Sequence, residues 1–393
     1  MNKTPRVSLM LLVLVLIGLN MRPLLTSVGP LLPQLRADSG MSFAVASLLT
    51  ALPMIAMGAL ALAGGWINRH ISEHISVALS LLMVMTGALL RELAPHSVVL
   101  LSSALLGGIG IGIIQVVMPT VIKRLFHRRM PQVMGLWSAA LMGGGGLGAA
   151  LTPWIAQHSE LWHRSLAWWA LPALIALVGW LAQRRSAEMP ITHPKGAAVR
   201  VVLNPRAWTL GLYFGVINGG YGSLIAWLPP YYIQLGKSAQ FSGTLLALMT
   251  VGQTAGALIL PMLAHHQDRR KLLLFTLALQ MLGFCGFILW PAQLPILGAV
   301  VCGIGLGGAF PLCLVLALDH ARHPVISGKL VAFMQGIGFI IAGLSPWLSG
   351  LLRSLSGNYW VDWTFHALCI AGLMALTVRF VPARYPQEWS VAE

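Results

Sequence analysis

The first apolar run of the chain reads Leu14-Val-Leu-Ile-Gly-Leu-Asn20-Met-Arg22-Pro23-Leu-Leu-Thr26-Ser-Val-Gly29-Pro30-Leu-Leu-Pro33-Gln34-Leu35. Its length predicts a helix that crosses the ~30 Å hydrocarbon core of a membrane, with Arg22 inside it. A guanidinium stays charged in proteins, and it costs at least ~2.5–3.5 kcal/mol at the bilayer centre. Asn20 offers only a neutral amide, and the run contains no carboxylate. We therefore interpret Arg22 as the anchor of a solute that is anionic or rich in acceptor oxygens.

The rest of the chain has the composition of a membrane protein. Of its 393 residues, 57% are hydrophobic and 9% are charged, whereas soluble domains carry about 25% charged residues. Hydropathy and turn residues predict an all-α membrane protein with twelve membrane-spanning helices, numbered here as spans 1 to 12. The predicted spans cover residues 7–29, 43–65, 75–94, 97–121, 132–156, 165–183, 207–231, 241–264, 271–290, 293–318, 329–352 and 361–381.

The net charge of +15 is explained by the distribution of basic residues across the membrane. Of the 25 lysines and arginines, nineteen fall on the side of the N-terminus, five fall on the opposite side and Arg22 lies within the membrane. Because cytoplasmic loops are rich in Lys and Arg, we predict that both termini are cytoplasmic and that the protein spans a bacterial inner membrane. Nucleic-acid binding is not indicated. The four cysteines fall inside predicted spans and indicate no disulfide framework.

A polar segment divides the spans into two groups of six. Residues 184–206 hold five basic residues and three prolines, and they predict a cytoplasmic linker. The N-terminal six-helix bundle is then residues 1–183, and the C-terminal six-helix bundle is residues 207–393.

The two halves of the sequence repeat. Pro30-Leu-Leu-Pro33-Gln34-Leu35 matches Pro230-Tyr-Tyr-Ile-Gln234-Leu235, and Gly108-x-Gly110-x-Gly112 matches Gly303-x-Gly305-x-Gly307. Parallel repeats of six helices place a substrate site near the membrane midplane, between the halves, and imply alternating access.

Two loops carry a degenerate sequence signature. They read Gly64-Gly-Trp-Ile-Asn68-Arg69-His70-Ile71 and Ala264-His-His-Gln-Asp268-Arg269-Arg270-Lys271, and both resemble the G-x-x-x-D-R-x-G loop of the major facilitator superfamily. With the twelve spans and the repeat, the whole chain resembles this superfamily. The resemblance implies two pseudo-symmetric six-helix bundles forming a monomeric transporter of a small molecule in the lipid bilayer.

A narrower resemblance begins in the first span. Asn20-Met-Arg22-Pro23, the segment from Thr26 to Pro33, and Pro119-Thr-Val-Ile-Lys123-Arg124-Leu-Phe126 resemble the cyanate-porter-like branch of the superfamily. Within that branch the likeness extends to the 2-nitroimidazole exporters, which implies export of small nitroimidazoles. The residues themselves predict only a small anionic or acceptor-rich solute. Uptake of a small inorganic anion such as cyanate is the alternative.

The superfamily resemblance also implies which spans face the substrate. Spans 1, 4, 7 and 10 line the cavity, and spans 2, 5, 8 and 11 flank it. Instead of binding substrate, the side-chain amides on these spans could hydrogen-bond between helices, and Arg22 could hold backbone carbonyls of a neighbouring helix. Tyr213, Tyr221 and Trp227 offer ring faces to a flat heteroaromatic solute. The candidate substrate-binding residues are Arg22, Asn20, Thr26, Gln115, Trp137, Asn218, Tyr221, Gln253 and Gln335.

Charged residues at span ends are candidates for gating. We expect Asp319 to pair with Arg124 or Lys123. All ten acidic residues fall in loops, tails or span ends, so no carboxylate is expected in mid-membrane. His366 is the only histidine well inside a predicted span. The candidate gating residues are Asn68, Arg69, Arg124, Asp268, Arg269 and Asp319.

Enzymatic chemistry finds no support in the sequence. No nucleophile–base pair, zinc-ligand spacing or pair of carboxylates is recognisable. We therefore predict a transporter rather than an enzyme, without a metal or a cofactor.

Overall fold

A computed structural model describes residues 4–93, 96–126, 130–159, 161–183, 201–264, 268–320 and 324–387. These residues form helices and no strands, which confirms the predicted all-α fold. Span 1 is broken into Thr4–Leu19, Pro23–Thr26, the 3-10 turn Gly29–Leu31 and Leu32–Ser39. Span 2 is Phe43–His70, and span 3 is Glu73–Leu90 followed by the 3-10 turn Arg91–Leu93. Span 4 is Ser97–Leu125 and span 5 is Met130–Gln157. Span 6 consists of two helices, Trp162–Ala167 and Ala170–Leu181. Spans 7 to 12 are Pro205–Gln234, Ala239–Met262, Arg270–Leu289, Pro295–Asp319, Pro324–Ser356 and Trp360–Thr377.

The helices are longer than most of the apolar runs that predict them. Span 11, for example, is predicted over 329–352 and observed over Pro324–Ser356. Hydropathy detects only the part of a helix that lies in hydrocarbon, whereas backbone hydrogen bonds continue the helix into the interfacial region. Span ends are therefore the least accurate part of the sequence prediction.

Span 7 is the most polar of the long helices. Within the described residues, eleven helical segments are long and apolar enough to cross a membrane by composition, and Pro205–Gln234 is not among them. This helix has 30 residues, and most of its side chains are buried against other helices. A helix enclosed by protein has little contact with lipid, so it tolerates Asn218 and the tyrosines among its residues.

The turns between spans repeat in the two halves. Gly40 ends span 1 with φ 67°, and Gly236 follows span 7 with φ 82°. This left-handed conformation favours glycine and terminates a helix. Two residues later, Ser42 and Ser238 cap the next helices, each accepting a hydrogen bond from the backbone N–H three positions on. These matched turns support the pseudo-symmetry of the two bundles.

The two halves meet through glycines on spans 2 and 11 and on spans 5 and 8. A Cβ atom at Gly58 would lie 2.6 Å from the carbonyl oxygen of Gly336, and one at Gly243 would clash with the carbonyl oxygen of Ala149. Such close backbone approach is a common way for membrane helices to associate.

An aromatic and cationic cluster completes this contact at the face where span 1 ends. The guanidinium carbon of Arg36 lies 3.4 Å from the ring centroid of Phe43, and that of Arg353 lies 4.8 Å from the same centroid. Arg353 also lies 4.7 Å from the ring of Tyr359. We call Arg36, Phe43, Arg353 and Tyr359 the outer closure, because the predicted topology places this face outside the cell.

The predicted linker lies mostly beyond the described part of the chain. Residues 184–200 fall outside the described residues, and residues 201–203 form a 3-10 turn before span 7. The boundaries of the two bundles at 183 and 207 therefore stay predictions.

Candidate functional site

A cavity of about 490 Å³ lies between the two halves. It begins at Arg22 and extends to Asn68 on span 2 and Gly328 on span 11, near the ends of those helices that lie opposite the outer closure. The cavity is therefore closed by the outer closure on one face and approaches the other. Seven of the nine candidate binding residues line it, namely Arg22, Gln115, Trp137, Asn218, Tyr221, Gln253 and Gln335.

Arg22 occupies the break in span 1. Pro23 is the first residue of the next helical segment, and Arg22 precedes it in a non-helical position with φ −116° and ψ −24°. The side chain is 9% exposed, and its Nε atom has no hydrogen-bond partner among the described residues. Its guanidinium carbon lies 5.2 Å from the ring centroid of Tyr221 on span 7. This cation–π contact links the halves but leaves the hydrogen-bonding capacity of the guanidinium unused.

Uncharged polar groups surround the rest of the cavity. The indole N–H of Trp137 and the Oε1 atom of Gln253 are buried without a hydrogen-bond partner in the described structure. The Nδ2 atom of Asn218 already donates to the carbonyl oxygen of Phe214 at 2.8 Å. Arg22 is the only charged residue of the described lining. The cavity therefore offers one positive charge and several neutral donors to a solute.

Asn20 and Thr26 lie outside the cavity. The Nδ2 atom of Asn20 donates to the carbonyl oxygens of Leu16 at 2.7 Å and Pro172 at 3.1 Å, so it connects span 1 to span 6. The hydroxyl of Thr26 donates to the carbonyl oxygen of Arg22 at 3.2 Å. Both side chains satisfy backbone acceptors at the helix break. Arg22 and Thr26 are four residues apart, which a regular helix would place on one face, but Arg22 precedes the helix that contains Thr26.

Two of the three aromatic residues considered for ring stacking also lie elsewhere. The hydroxyl of Tyr213 is hydrogen-bonded to that of Thr377 at 2.9 Å, and the indole N–H of Trp227 donates to the carbonyl oxygen of Pro346 at 2.9 Å. Both side chains are fully buried between helices. Of these rings, only Tyr221 lines the cavity.

The candidate gating residues form ion pairs within each half. Asp319 accepts a hydrogen bond from Nε of Arg269 at 2.8 Å, and Arg124 pairs with Glu73 at 2.7 Å. The expected pairing of Asp319 with Arg124 or Lys123 is therefore wrong, because the end of span 10 meets the start of span 9 in its own half. Asp268 pairs with Arg270 at 2.7 Å.

The remaining two gating candidates, Asn68 and Arg69, lie in the last turn of span 2. Asn68 lines the cavity. The side chain of Arg69 lies outside the described part of the structure.

The two ion pairs occupy equivalent positions with opposite polarity. Glu73 lies in the first turn of span 3, and Arg124 lies in the last turn of span 4, as helix dipoles favour. In the other half, Arg269 caps the start of span 9 and Asp319 ends span 10, against both dipoles. The second pair is therefore held against both helix dipoles by direct attraction, and Nη1 of Arg269 also donates to the carbonyl oxygen of Ala264 at 2.6 Å.

Exchanging the two charges of this second pair tests that assignment. Asp319→Arg alone is expected to lower the unfolding midpoint in detergent. Adding Arg269→Asp should restore stability to within about 1 kcal/mol of the native protein, since it restores attraction and satisfies both dipoles. Thermal unfolding of the two single variants and the double variant gives the coupling energy. Additive losses in the double variant would contradict the pairing.

Arg91 was not singled out in the sequence analysis, yet it is buried at the end of span 3. Its Nη2 atom donates to the carbonyl oxygen of Leu24 at 2.8 Å, and its Nη1 and Nε atoms contact the hydroxyls of Ser27 at 3.4 Å and Ser103 at 3.3 Å. Arg91 thus supports the broken part of span 1 next to Arg22. No sequence signal marks it, because hydropathy alone does not define the end of span 3.

Two relatives at the sequence level are transporters of named solutes. The chain is 70% identical over 381 residues to the cyanate transport protein CynX of Escherichia coli strain K12, covering 97% of this chain and 99% of that protein. It is 26% identical over 374 residues to the 2-nitroimidazole transporter of the same organism, covering 93% of each. The expectation of 2-nitroimidazole export is therefore wrong, and the cyanate alternative has the stronger support. Tyr213 and Trp227, two of the three rings considered for stacking on a flat solute, are buried away from the cavity.

Fold and family comparisons agree on the class of protein. The crystal structure of a D-xylose–proton symporter superposes with a TM-score of 0.80 at 15% identity, covering 96% of this chain and 98% of that one. At that identity the similarity shows a common fold only. The family model described as the Major Facilitator Superfamily matches residues 10–343. The protein is therefore a membrane transporter and not an enzyme, and it belongs to the Major Facilitator Superfamily.

Proposed function

We propose that this protein takes up cyanate across the bacterial inner membrane by alternating access. The observation that carries the proposal is the buried guanidinium of Arg22, which lies at the head of the cavity with its Nε atom unpartnered in the described structure. A buried charge without a partner is costly, and an anion that binds there removes the cost. The 70% identity to a cyanate transport protein supports cyanate as that anion.

The chemistry of the cavity suits a small linear anion. Cyanate has three heavy atoms, it spreads its negative charge over oxygen and nitrogen, and it has no hydrogen to donate. Arg22 supplies the positive charge, while the indole N–H of Trp137 and the amide of Gln253 are within the same lining. No described lining residue is acidic, so nothing in the described lining repels an anion. We propose these three residues as its principal contacts.

The direction of transport follows from the topology we propose. We propose that the end of the cavity opposite the outer closure faces the cytoplasm, because most of the Lys and Arg residues fall on that side of the membrane. The structure then corresponds to the state that releases solute into the cell. Both halves of the cavity come from one chain, and we propose that the monomer is the transporting unit.

Counterflow in proteoliposomes is the direct test. Vesicles loaded with unlabelled cyanate should take up labelled external cyanate when they contain the protein and not when they are empty. Azide, a linear anion of three heavy atoms, should compete. Cyanamide is similar in size but neutral, so it should compete much less, since it gains nothing from the charge of Arg22. Absence of counterflow would overturn the proposal, and equal competition by cyanamide would remove the role of charge.

A further inference from the structure

The outer closure carries two guanidinium groups with unused hydrogen-bond donors. Arg36 and Arg353 come from opposite halves and lie over the same ring of Phe43, and both are half-buried rather than enclosed. The Nε atom of Arg36 donates to the carbonyl oxygen of Met41 at 3.0 Å, and its two Nη atoms donate to no described residue. The Nη2 atom of Arg353 donates to Oε1 of Gln234 at 3.1 Å, while its Nε atom has no partner in the described structure.

The acidic residues nearest to the outer closure in the described sequence are engaged elsewhere. Asp38 is two residues from Arg36, but its carboxylate accepts a hydrogen bond from the indole N–H of Trp162 on span 6. Asp362 is fully buried, and its Oδ1 atom lies 3.5 Å from Nε2 of His366. Neither arginine of the outer closure is therefore neutralised by an ion pair within the described part of the chain.

The equivalent contact between spans 5 and 8, which the repeat relates to spans 11 and 2, is neutral. There the Nε2 atom of Gln240, at the start of span 8, donates to Oε1 of Gln157 at the end of span 5 at 2.8 Å. The repeat likewise aligns Arg36 with Gly236. A hydrogen bond between two amides is thus enough to join the halves on one side of this face. The two cations on the other side are not required for closure, and their charge suits an anion.

Span 1 leads from the outer closure to the cavity. Arg36 lies near the outer end of this span and Arg22 lies at its break, roughly 20 Å away at the helical rise of about 1.5 Å per residue. No residue between them in the sequence is charged. Separation of the halves at this face parts Arg353 from Phe43, because these two residues belong to different halves. An anion held at the outer closure is then at the entrance of the path to Arg22.

We propose that Arg36 and Arg353 form a surface site that binds small monovalent anions before the outer face opens. This proposal rests on the proposed cyanate transport. The terminal atoms of cyanate or azide accept hydrogen bonds from the Nη atoms of Arg36, and the charge of Arg353 adds attraction. Because both side chains are half-exposed, binding is weak, and its effect is a higher local concentration of the anion at the entrance. The site acts only on anions that arrive from outside.

The experiment compares the two faces of the transporter by cyanate counterflow in right-side-out and inverted membrane vesicles. In right-side-out vesicles, the double variant Arg36→Gln with Arg353→Gln should raise the KM for external cyanate about 10-fold, because the local concentration of the anion falls. In inverted vesicles the cytoplasmic face is exposed to the medium, and the same variant should keep the KM within about twofold of native. The maximal rate should stay within about twofold of native in both orientations.

Further variants separate the effect of charge from that of packing. Arg36→Lys with Arg353→Lys keeps both charges but loses the planar groups that lie over Phe43, so the KM for external cyanate should stay within about twofold of native. Lys237→Gln removes one positive charge from the same face, at a side chain that lies over Phe241, and it should leave this KM unchanged. Arg353→Gln alone makes the same change in net charge and should raise the KM about threefold.

The possible outcomes separate the two proposals. Native vesicles without cyanate counterflow overturn cyanate transport and the surface site that rests on it. Native counterflow together with an unchanged external KM in the double glutamine variant overturns the surface site alone. An equal rise of the KM in both vesicle orientations, or a rise in the double lysine variant as large as in the glutamine variant, would mean that the arginines act on closure through packing, and either result would also overturn the site.

Discussion

Replacing Arg22 with glutamine is expected to weaken cyanate binding about 10- to 100-fold, because a charge-assisted hydrogen bond of ~1.5–3 kcal/mol is lost. The same variant should unfold at a higher temperature than the native protein. Arg22 is a buried charge with an unpartnered Nε atom in the described structure, so its removal takes away a cost to folding. Equilibrium binding of labelled cyanate and thermal unfolding in the same detergent measure the two effects.

A lower affinity for cyanate together with a higher unfolding temperature distinguishes an arginine that binds the anion from one that holds helices together. If Arg22 held the helices together through backbone carbonyls, glutamine would lower both binding and stability. Arg22→Lys keeps the charge but loses the planar fork of donors, so its affinity should fall between those of the native protein and the glutamine variant. Lys237→Gln is the matched control for net charge, since Lys237 is exposed and remote from the cavity. A stability loss in Arg22→Gln would contradict the anchor.

Gly58→Ala is expected to reduce transport at least ~10-fold by keeping the outer face open. The added Cβ would meet the carbonyl oxygen of Gly336 at 2.6 Å and the backbone nitrogen of Ile340 at 2.8 Å, and neither atom can move without its helix. A single cysteine at Ser47, which is buried near the outer closure, reports the opening in a background free of the four native cysteines. We expect a membrane-impermeant thiol reagent to label it faster when Gly58 is replaced.

A glycine of span 12 provides the control for this experiment. A Cβ at Gly372 would meet no atom within 4 Å, and Gly372 does not line the cavity, so Gly372→Ala changes helix propensity equally without affecting the contact between halves. Its transport and labelling should match those of the native protein. Slow labelling in Gly58→Ala with transport still lost would mean that the substitution disrupts the fold rather than the closure.

Much of the fold follows from composition, whereas pairwise contacts do not. Its position within an apolar run is enough to identify Arg22 as a candidate cavity residue, because burial of its charge is the largest single free-energy cost in that segment. Gln115 and Gln253 could be predicted as cavity residues because the superfamily resemblance places spans 4 and 8 in or beside the cavity. The partner of Asp319 could not be obtained in this way, since the sequence does not state which span ends meet.

The errors at individual residues have physical causes. Thr26 is four residues from Arg22, and regular helical geometry would place both on one face, but the break before Pro23 removes that relation. Arg91 lies at a span end, where hydropathy cannot tell an exposed residue from a buried one. The choice between a nitroimidazole and cyanate rests on the relatives, because Arg22 and the neutral donors of the lining suit either solute.

The outer closure brings two positive charges together across one phenyl ring. Among the described residues, neither Arg36 nor Arg353 is paired with a carboxylate, and both lie over Phe43. Their mutual repulsion is screened by dissolved salt, over a distance of about 8 Å at physiological ionic strength, while dispersion contacts with the ring are not. A gate built from a salt bridge weakens as salinity rises, whereas this one strengthens. The salinity outside the cell therefore acts directly on the balance between the two states of the transporter.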